Sequence, residues 1–242
     1  MNEQQLYELL LTPIRQGALI QIDHKIIYSG KRYASSDFDP DMSDIAVLFY
    51  ETIYSDILKA ESVLGENRKL KNKMFAGDTM NSFNTTANKV PEAGRSRKQR
   101  TDSSLWPEYL QTYYDSYHCL ANFWLLPMDL GRWNEEGGTL NRYKHHRDYM
   151  DYYLKEIQSR YQSGKSFEKY EEYFTGCFAG WEDFCEKHFL VGSYVDEETY
   201  TVKEANKDPE TFIRYAMEMM RKRAKCIAES EYADELTELF SR

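Results

Sequence analysis

The sequence predicts a mainly α fold of the α+β kind, a single helical domain over residues 1–242 with a small N-terminal β-hairpin. Three observations predict it. Apolar residues recur at spacings of three and four through most of the chain. Only residues 18–28 carry the short β-branched character of paired strands. No Pro/Gly/Ser-rich linker separates two self-sufficient apolar halves.

The elements follow in order. Asn2 is a capping residue for a first helix over 3–11, which Pro13 stops. Leu19-Ile20-Gln21-Ile22 and Lys25-Ile26-Ile27-Tyr28 read as a hairpin turned at Asp23-His24. Ile45, Leu48, Phe49, Ile53, Ile57 and Leu64 mark one long helix from Ser43 to Leu64, with Gly65 as its stop. Pro107 suits the first turn of a helix reaching Leu120. Another runs from Asp148 to Tyr161 along Met150, Tyr153, Leu154 and Ile157. Phe167 to Phe189 holds one or two shorter helices broken around Gly176. Asp208-Pro209 is a cap followed by a first-turn proline, opening a long helix through Phe212, Ala216, Met220 and Ile227. A short helix over Tyr232–Phe240 ends the chain.

Composition bounds the function. Apolar residues make up 41% of the 242 and aromatics 15%, which excludes wholesale disorder. Lys plus Arg number 31 against 40 Asp plus Glu, a net charge of −9 that disfavours a chain coated in nucleic acid by charge alone. The start, MNEQQLYELLLTPIRQ, lacks a basic region and a long apolar core, and no run approaches the ~18 apolar residues that span a bilayer. Cys119, Cys177, Cys185 and Cys226 form no Cys-x-x-Cys pair, so the expectation is four reduced thiols in a cytoplasmic protein.

One stretch is different. Arg68, Lys69, Lys71, Lys73, Lys89, Arg95, Arg97, Lys98 and Arg100 face only Glu66, Asp78 and Glu92 up to residue 100. Without apolar periodicity, 85–104 is expected to be an exposed, flexible basic loop. It is either a solvated loop or an arm, over 89–100, that contacts the phosphates of a nucleic acid or nucleotide.

Phosphate-binding glycine loops, a nucleophile elbow, His-Glu-x-x-His and EF-hand loops are absent from the sequence. Three polar clusters remain. Gly77-Asp78-Thr79-Met80-Asn81-Ser82 packs short hydrogen-bonding side chains between Phe75 and Phe83, either as a capped turn or as a site. His118 and Asn122 are four apart, so on a helix they share one face within an apolar setting that demands partners for them. His145, Asp148 and Asp151, spaced by three, place an imidazole and two carboxylates along a helix edge, suited to a divalent cation or to acid–base work. The two acids are equally first-turn residues favoured by the helix dipole.

The run Gly77-Asp78-Thr79-Met80-Asn81-Ser82-Phe83, then His118-x-x-Ala121-Asn122-Phe123-x-Leu125-x-Pro127, then Asn141 with Asp148-x-x-Asp151, resembles a group of uncharacterised bacterial proteins carrying Gly-Asp-Thr-Met, His-x-x-Gly-Asn-Phe and Asp-x-x-Asp segments in that order. The resemblance covers residues 75–154. Its middle part is similar to the His-x-x-Gly-Asn-Leu-x-Leu-Leu stretch of HNH-type nucleases, although Ala121 replaces the glycine. No upstream His-x-x-Pro is present either, and the nearest histidine is His24.

The resemblance implies a metal-dependent phosphodiesterase or nuclease-like protein of phage defence. Catalysis would fall to His118, Asp78 and Asn122, substrate binding to Asn81, Arg132, Arg142 and Lys144, and a divalent metal to Asp78, Asp148 and Asp151. Two readings compete with it. One is a non-catalytic acidic interaction protein, a partner or inhibitor of a macromolecule, whose polar motifs fix turns. The other is a protein that docks on nucleic acid through 89–100 without cutting it.

Overall fold

Helix α1 (Glu3–Leu11) is closed at its start by a reciprocal pair. The Asn2 side chain accepts from the Gln5 amide at 2.9 Å, and the Gln5 side chain accepts from the Asn2 amide at 2.7 Å. Its buried stripe of Leu6, Leu9 and Leu10 lies on a long helix near the other end of the chain, α10 (Pro209–Ala228). The computed structural model describes residues 1–14, 19–22, 25–28, 40–58, 75–127, 130 and 138–241. Across them the fold is mainly α, with the expected antiparallel hairpin of β1 (Leu19–Ile22) and β2 (Lys25–Tyr28). The Asp23-His24 turn, Gly65, the cations at 68–73 and Arg132 lie outside the described residues.

The expected helix from Ser43 to Leu64 is interrupted. Ser43 caps α2 (Asp44–Ile53), and Tyr54 then leaves helical geometry (φ −120°, ψ 24°) before α3 (Ser55–Leu58). The Tyr54 hydroxyl is held by His188 at 3.0 Å and by Arg223 at 3.3 Å, so buried polar partners fix the residue where the helix breaks.

A second two-stranded sheet was not expected. Strand β3 (Phe75–Thr79) pairs antiparallel with β4 (Phe123–Pro127), Asp78 opposite Trp124 and Gly77 opposite Leu125. All five residues of β4 are buried, which is why it reads as an unbroken apolar run. Gly77 is required by a close approach. A Cβ there would lie 2.1 Å from the Asp41 carbonyl oxygen and 2.5 Å from the Tyr50 hydroxyl. Gly77→Ala is expected to destabilise the chain by about 1–3 kcal/mol through overpacking. A denaturant midpoint indistinguishable from the parent's would refute that.

Between these strands run α4 (Phe83–Ala87) and α5 (Glu108–Ser116). The segment expected to be a flexible loop is folded into three-residue 3₁₀ turns at Pro91–Ala93, Arg97–Gln99 and Ser103–Leu105. Two local features explain this. Val90 and Ala93 are buried, and the Arg100 guanidinium donates to the Ala93 and Gly94 carbonyls (both 3.1 Å) and to the side chains of Asn84 (3.0 Å) and Asn88 (2.8 Å).

The remaining helices are α6 (Arg142–His145), α7 (Met150–Ser163), α8 (Glu171–Gly176), α9 (Trp181–Lys187), α10 and α11 (Ala233–Phe240). The break at Gly176 and the Asp208 cap of α10 fall where the sequence puts them. The buried apolar side chains form one contiguous cluster. All four cysteines are free. Among the described residues no helix is long and apolar enough to cross a membrane.

Candidate functional site

Two of the three polar clusters meet around one side chain, and the third is joined to them through Asn122. Arg142 is fully buried at the start of α6, and its guanidinium donates four hydrogen bonds. Nη1 donates to Asp78 Oδ2 and to the Thr79 carbonyl, both at 2.8 Å. Nη2 donates to the Met80 carbonyl at 2.8 Å and to Asp148 Oδ1 at 2.9 Å. The other oxygens are also engaged: Asp78 Oδ1 accepts from the Thr79 amide at 2.9 Å, and Asp148 Oδ2 from the Thr85 hydroxyl at 2.6 Å. Each of the four carboxylate oxygens therefore accepts a hydrogen bond from the chain itself.

Burial would lower the Arg142 pKa, but Asp78 and Asp148 outweigh it and drive the value up, so the guanidinium stays charged. Burial raises the Asp148 carboxyl, opposed by Arg142 and by hydrogen bonds from Thr85 and Ser82. The chain bends to make this contact. Arg147 and Asp148 both adopt left-handed backbone (φ 51° and 57°), which turns Asp148 back onto α6, where its amide donates to the Arg142 carbonyl at 3.1 Å.

Beside the ion triad, Asn81 and Asn122 interlock. Asn122 Oδ1 accepts from the Asn81 amide (3.0 Å) and Nδ2 (3.1 Å), while Asn122 Nδ2 donates to the carbonyls of Asn81 (3.1 Å) and Tyr117 (2.7 Å). The Tyr113 hydroxyl also donates to the Asn81 carbonyl at 2.9 Å. Two turns distant in sequence are thus fastened by side-chain amides, with that of Asn122 meeting the Asn81 backbone N–H and C=O as a strand partner would.

The structure corrects the placement of other candidates. His118 and Asn122 do not share a helix, because α5 ends at Ser116 and Asn122 closes a separate 3₁₀ turn, Leu120–Asn122. His118 joins an aromatic wall, its ring 3.8 Å from that of Tyr117. His145, Asp148 and Asp151 do not share a helix edge either, since α6 stops at His145 and α7 begins at Met150. The expected metal set of Asp78, Asp148 and Asp151 is divided. Arg142 bridges the first two, and Asp151 accepts from Lys207 Nζ at 2.5 Å and the Ala205 amide at 3.1 Å. Among the described residues no group of three His, Cys, Asp or Glu side chains is placed to hold a metal ion. Lys144 is exposed, its amide capped by Asn141 at 2.9 Å.

Sequence reasoning missed a second buried polar centre. Arg223 of α10 is fully buried and donates to the carbonyls of Ala121 (2.9 Å), Phe123 (2.8 Å) and His188 (3.0 Å). His188 lies between the hydroxyls of Tyr54 (on Nδ1) and Tyr173 (on Nε2), each at 3.0 Å. The proton positions follow from the chain of donors. Tyr173 gives its hydrogen to the Leu125 carbonyl at 3.0 Å, so it accepts from His188 Nε2–H. Tyr54 accepts from Arg223 and donates to Nδ1. Burial pushes the Tyr54 phenol up to about 12 against the pull of Arg223, which keeps that hydrogen in place. One signal for this centre was present: Ala216, Met220, Arg223 and Ile227 fall at spacings of four, three and four, so Arg223 belongs to the buried stripe of α10.

The folded 89–105 segment forms the exposed counterpart of these interiors. Lys89, Arg95, Arg97 and Lys98 are exposed, and among the described residues none of them forms an ion pair. Alongside lie Leu105 and Tyr114, 66% and 47% exposed. Comparison with protein-family models, with curated proteins and with solved structures gives no match to this chain.

Proposed function

We propose that this chain works by binding a nucleic acid rather than by cutting one, and that the 89–105 face is its contact surface. The observation that carries the reading is the set of exposed, unpaired cations Arg95, Arg97 and Lys98 on a chain of net charge −9. A solvated surface on an acidic protein normally answers cations with nearby acids. Within this segment the Asp102 carboxylate is turned to the Ser104 amide (2.9 Å) and hydroxyl (2.7 Å), Arg100 is consumed in holding the turns together, and the three cations form no ion pair with Asp102 or with the exposed Glu92. The interior supports the same reading. Asp78 and Asp148 would have to release Arg142, and Asn122 to release Asn81, before they could serve a metal or a phosphodiester. The polar motifs act as the fastening that fixes α4, and α4 in turn presents Asn84 and Asn88 to Arg100.

The test is fluorescence anisotropy with a labelled oligonucleotide across a salt series. Affinity should fall linearly in log–log form, with a slope of about −0.7 to −0.9 per phosphate neutralised. Arg95→Ala/Arg97→Ala/Lys98→Ala should reduce that slope by about two to three while leaving the melting temperature unchanged. Absence of binding, or binding indifferent to salt and to the triple substitution, would remove the proposal. So would magnesium- or manganese-dependent cleavage that disappears in a folded Asp78→Asn variant.

A further inference from the structure

Resting on that reading, we infer that the nucleic acid held at this face is single-stranded, with a base stacked on Tyr114. Among the described residues Tyr114 is one of only three large apolar side chains left exposed. It is also the outermost ring of a wall that is already assembled. Its ring sits edge-on to Trp106 (5.3 Å, 86°) and 5.0 Å from Phe83, while Phe83 stacks on Trp106 at 5.4 Å and on Tyr117 at 5.5 Å. The Trp106 indole N–H donates to the Thr101 hydroxyl at 2.9 Å, which ties the wall to the basic segment, and the Arg100 guanidinium lies over the Phe83 ring at 5.5 Å. The aromatic wall is therefore joined to the basic segment through Thr101 and Arg100, which places Tyr114 beside the stretch that carries Arg95, Arg97 and Lys98.

The chemistry of the surface separates the two forms of nucleic acid. A duplex keeps its base faces inside its own stack and offers phosphates and groove edges. Reading a major groove takes an α-helix or a two-stranded ribbon, and the basic segment has only three-residue turns to present. Helix α5, which carries Tyr114, also carries the exposed acid Glu108, so the helix itself is not a track for phosphates. A single strand fits this arrangement. Its phosphates run along Arg95, Arg97 and Lys98 while an uncharged base swings onto Tyr114, the division of labour by which aromatic platforms and basic grooves hold unpaired strands.

The experiment compares labelled single strands, oligo-dT and oligo-rU of about 20 nucleotides, with a duplex of the same length, against the full chain and three variants. The single strands should bind at least about tenfold tighter than the duplex. Tyr114→Ala should weaken single-strand binding about 5- to 150-fold and leave duplex binding unchanged, and Tyr114→Phe, which keeps the ring, should restore it. Equal affinity for duplex and single strand, or single-strand binding untouched by Tyr114→Ala, would overturn this inference and leave the nucleic-acid reading standing. If no probe binds, and the Arg95→Ala/Arg97→Ala/Lys98→Ala variant behaves like the parent, the nucleic-acid reading itself fails.

Discussion

Replacing Arg142 with methionine is expected to destabilise the chain by about 3–5 kcal/mol, a large part of the total stability of most folded domains. The size comes from what is left behind. Asp78 and Asp148, with side chains 10% and 5% exposed, would face one another with no cation between them, and the Thr79 and Met80 carbonyls would lose their donors. Denaturant midpoints measure the loss. A triple variant, Arg142→Met/Asp78→Asn/Asp148→Asn, separates charge from packing, because removing every charge of a buried triad is far cheaper than removing one partner. It should recover most of the stability and should stay folded if the single variant does not. An Arg142→Met protein within about 1 kcal/mol of the parent would show that the guanidinium does not hold these strands and turns together.

Much of the fold was legible because it is local. The Asn2 and Asp208 caps, the Gly176 break, the hairpin and the apolar stripes of α7 and α10 each involve residues within a few positions of one another. The β3–β4 pair was not, since Asp78 meets Trp124 across more than forty residues and nothing near either strand names the other. Phe123–Pro127 carries no alternation for the same reason that it is buried on every side, so period alone cannot distinguish it from a helical core segment. The basic segment misled differently. It lacks periodicity, but two buried small apolar residues and one arginine reaching four acceptors suffice to fold it.

The polar clusters illustrate how far residue types carry. Burial among aromatics correctly implied that Asn122 needs partners, and the Gly77–Ser82 run, Asn122, Arg142 and Asp148 do come together. What residue types cannot convey is the direction of each donor. Carboxylates suited to a metal are equally suited to an arginine, and here Arg142 holds both Asp78 and Asp148. Arg223 and His188 passed unnoticed because a buried arginine capped by carbonyls has no acidic neighbour in the sequence to advertise it.

That second centre should make the chain acid-sensitive. Burial first, then Arg223 and Lys187, hold the His188 imidazole well below its ordinary 6.5. The folded state therefore leaves His188 neutral where the unfolded chain takes up a proton. With more protons bound on unfolding, stability is complete above about pH 6.5 and falls as the pH drops below it, by up to about 1.4 kcal/mol per pH unit for this one residue. The groups facing it are the Tyr54 and Tyr173 hydroxyls and the Arg223 guanidinium, and none of these supplies a carboxylate to welcome the charge. His146 shifts in the same direction, chiefly through burial, and its His146→Gln variant serves as the control. Denaturation between about pH 5 and 7 should show a steep fall in the parent and a fall only partly reduced in His146→Gln, because His146 is displaced less than His188. His188→Gln should be less stable at neutral pH but markedly flatter across the same range. An identical slope in His188→Gln would mean that the proton taken up on unfolding belongs elsewhere, and that the Arg223–Tyr54–His188–Tyr173 chain of hydrogen bonds does not require a neutral imidazole.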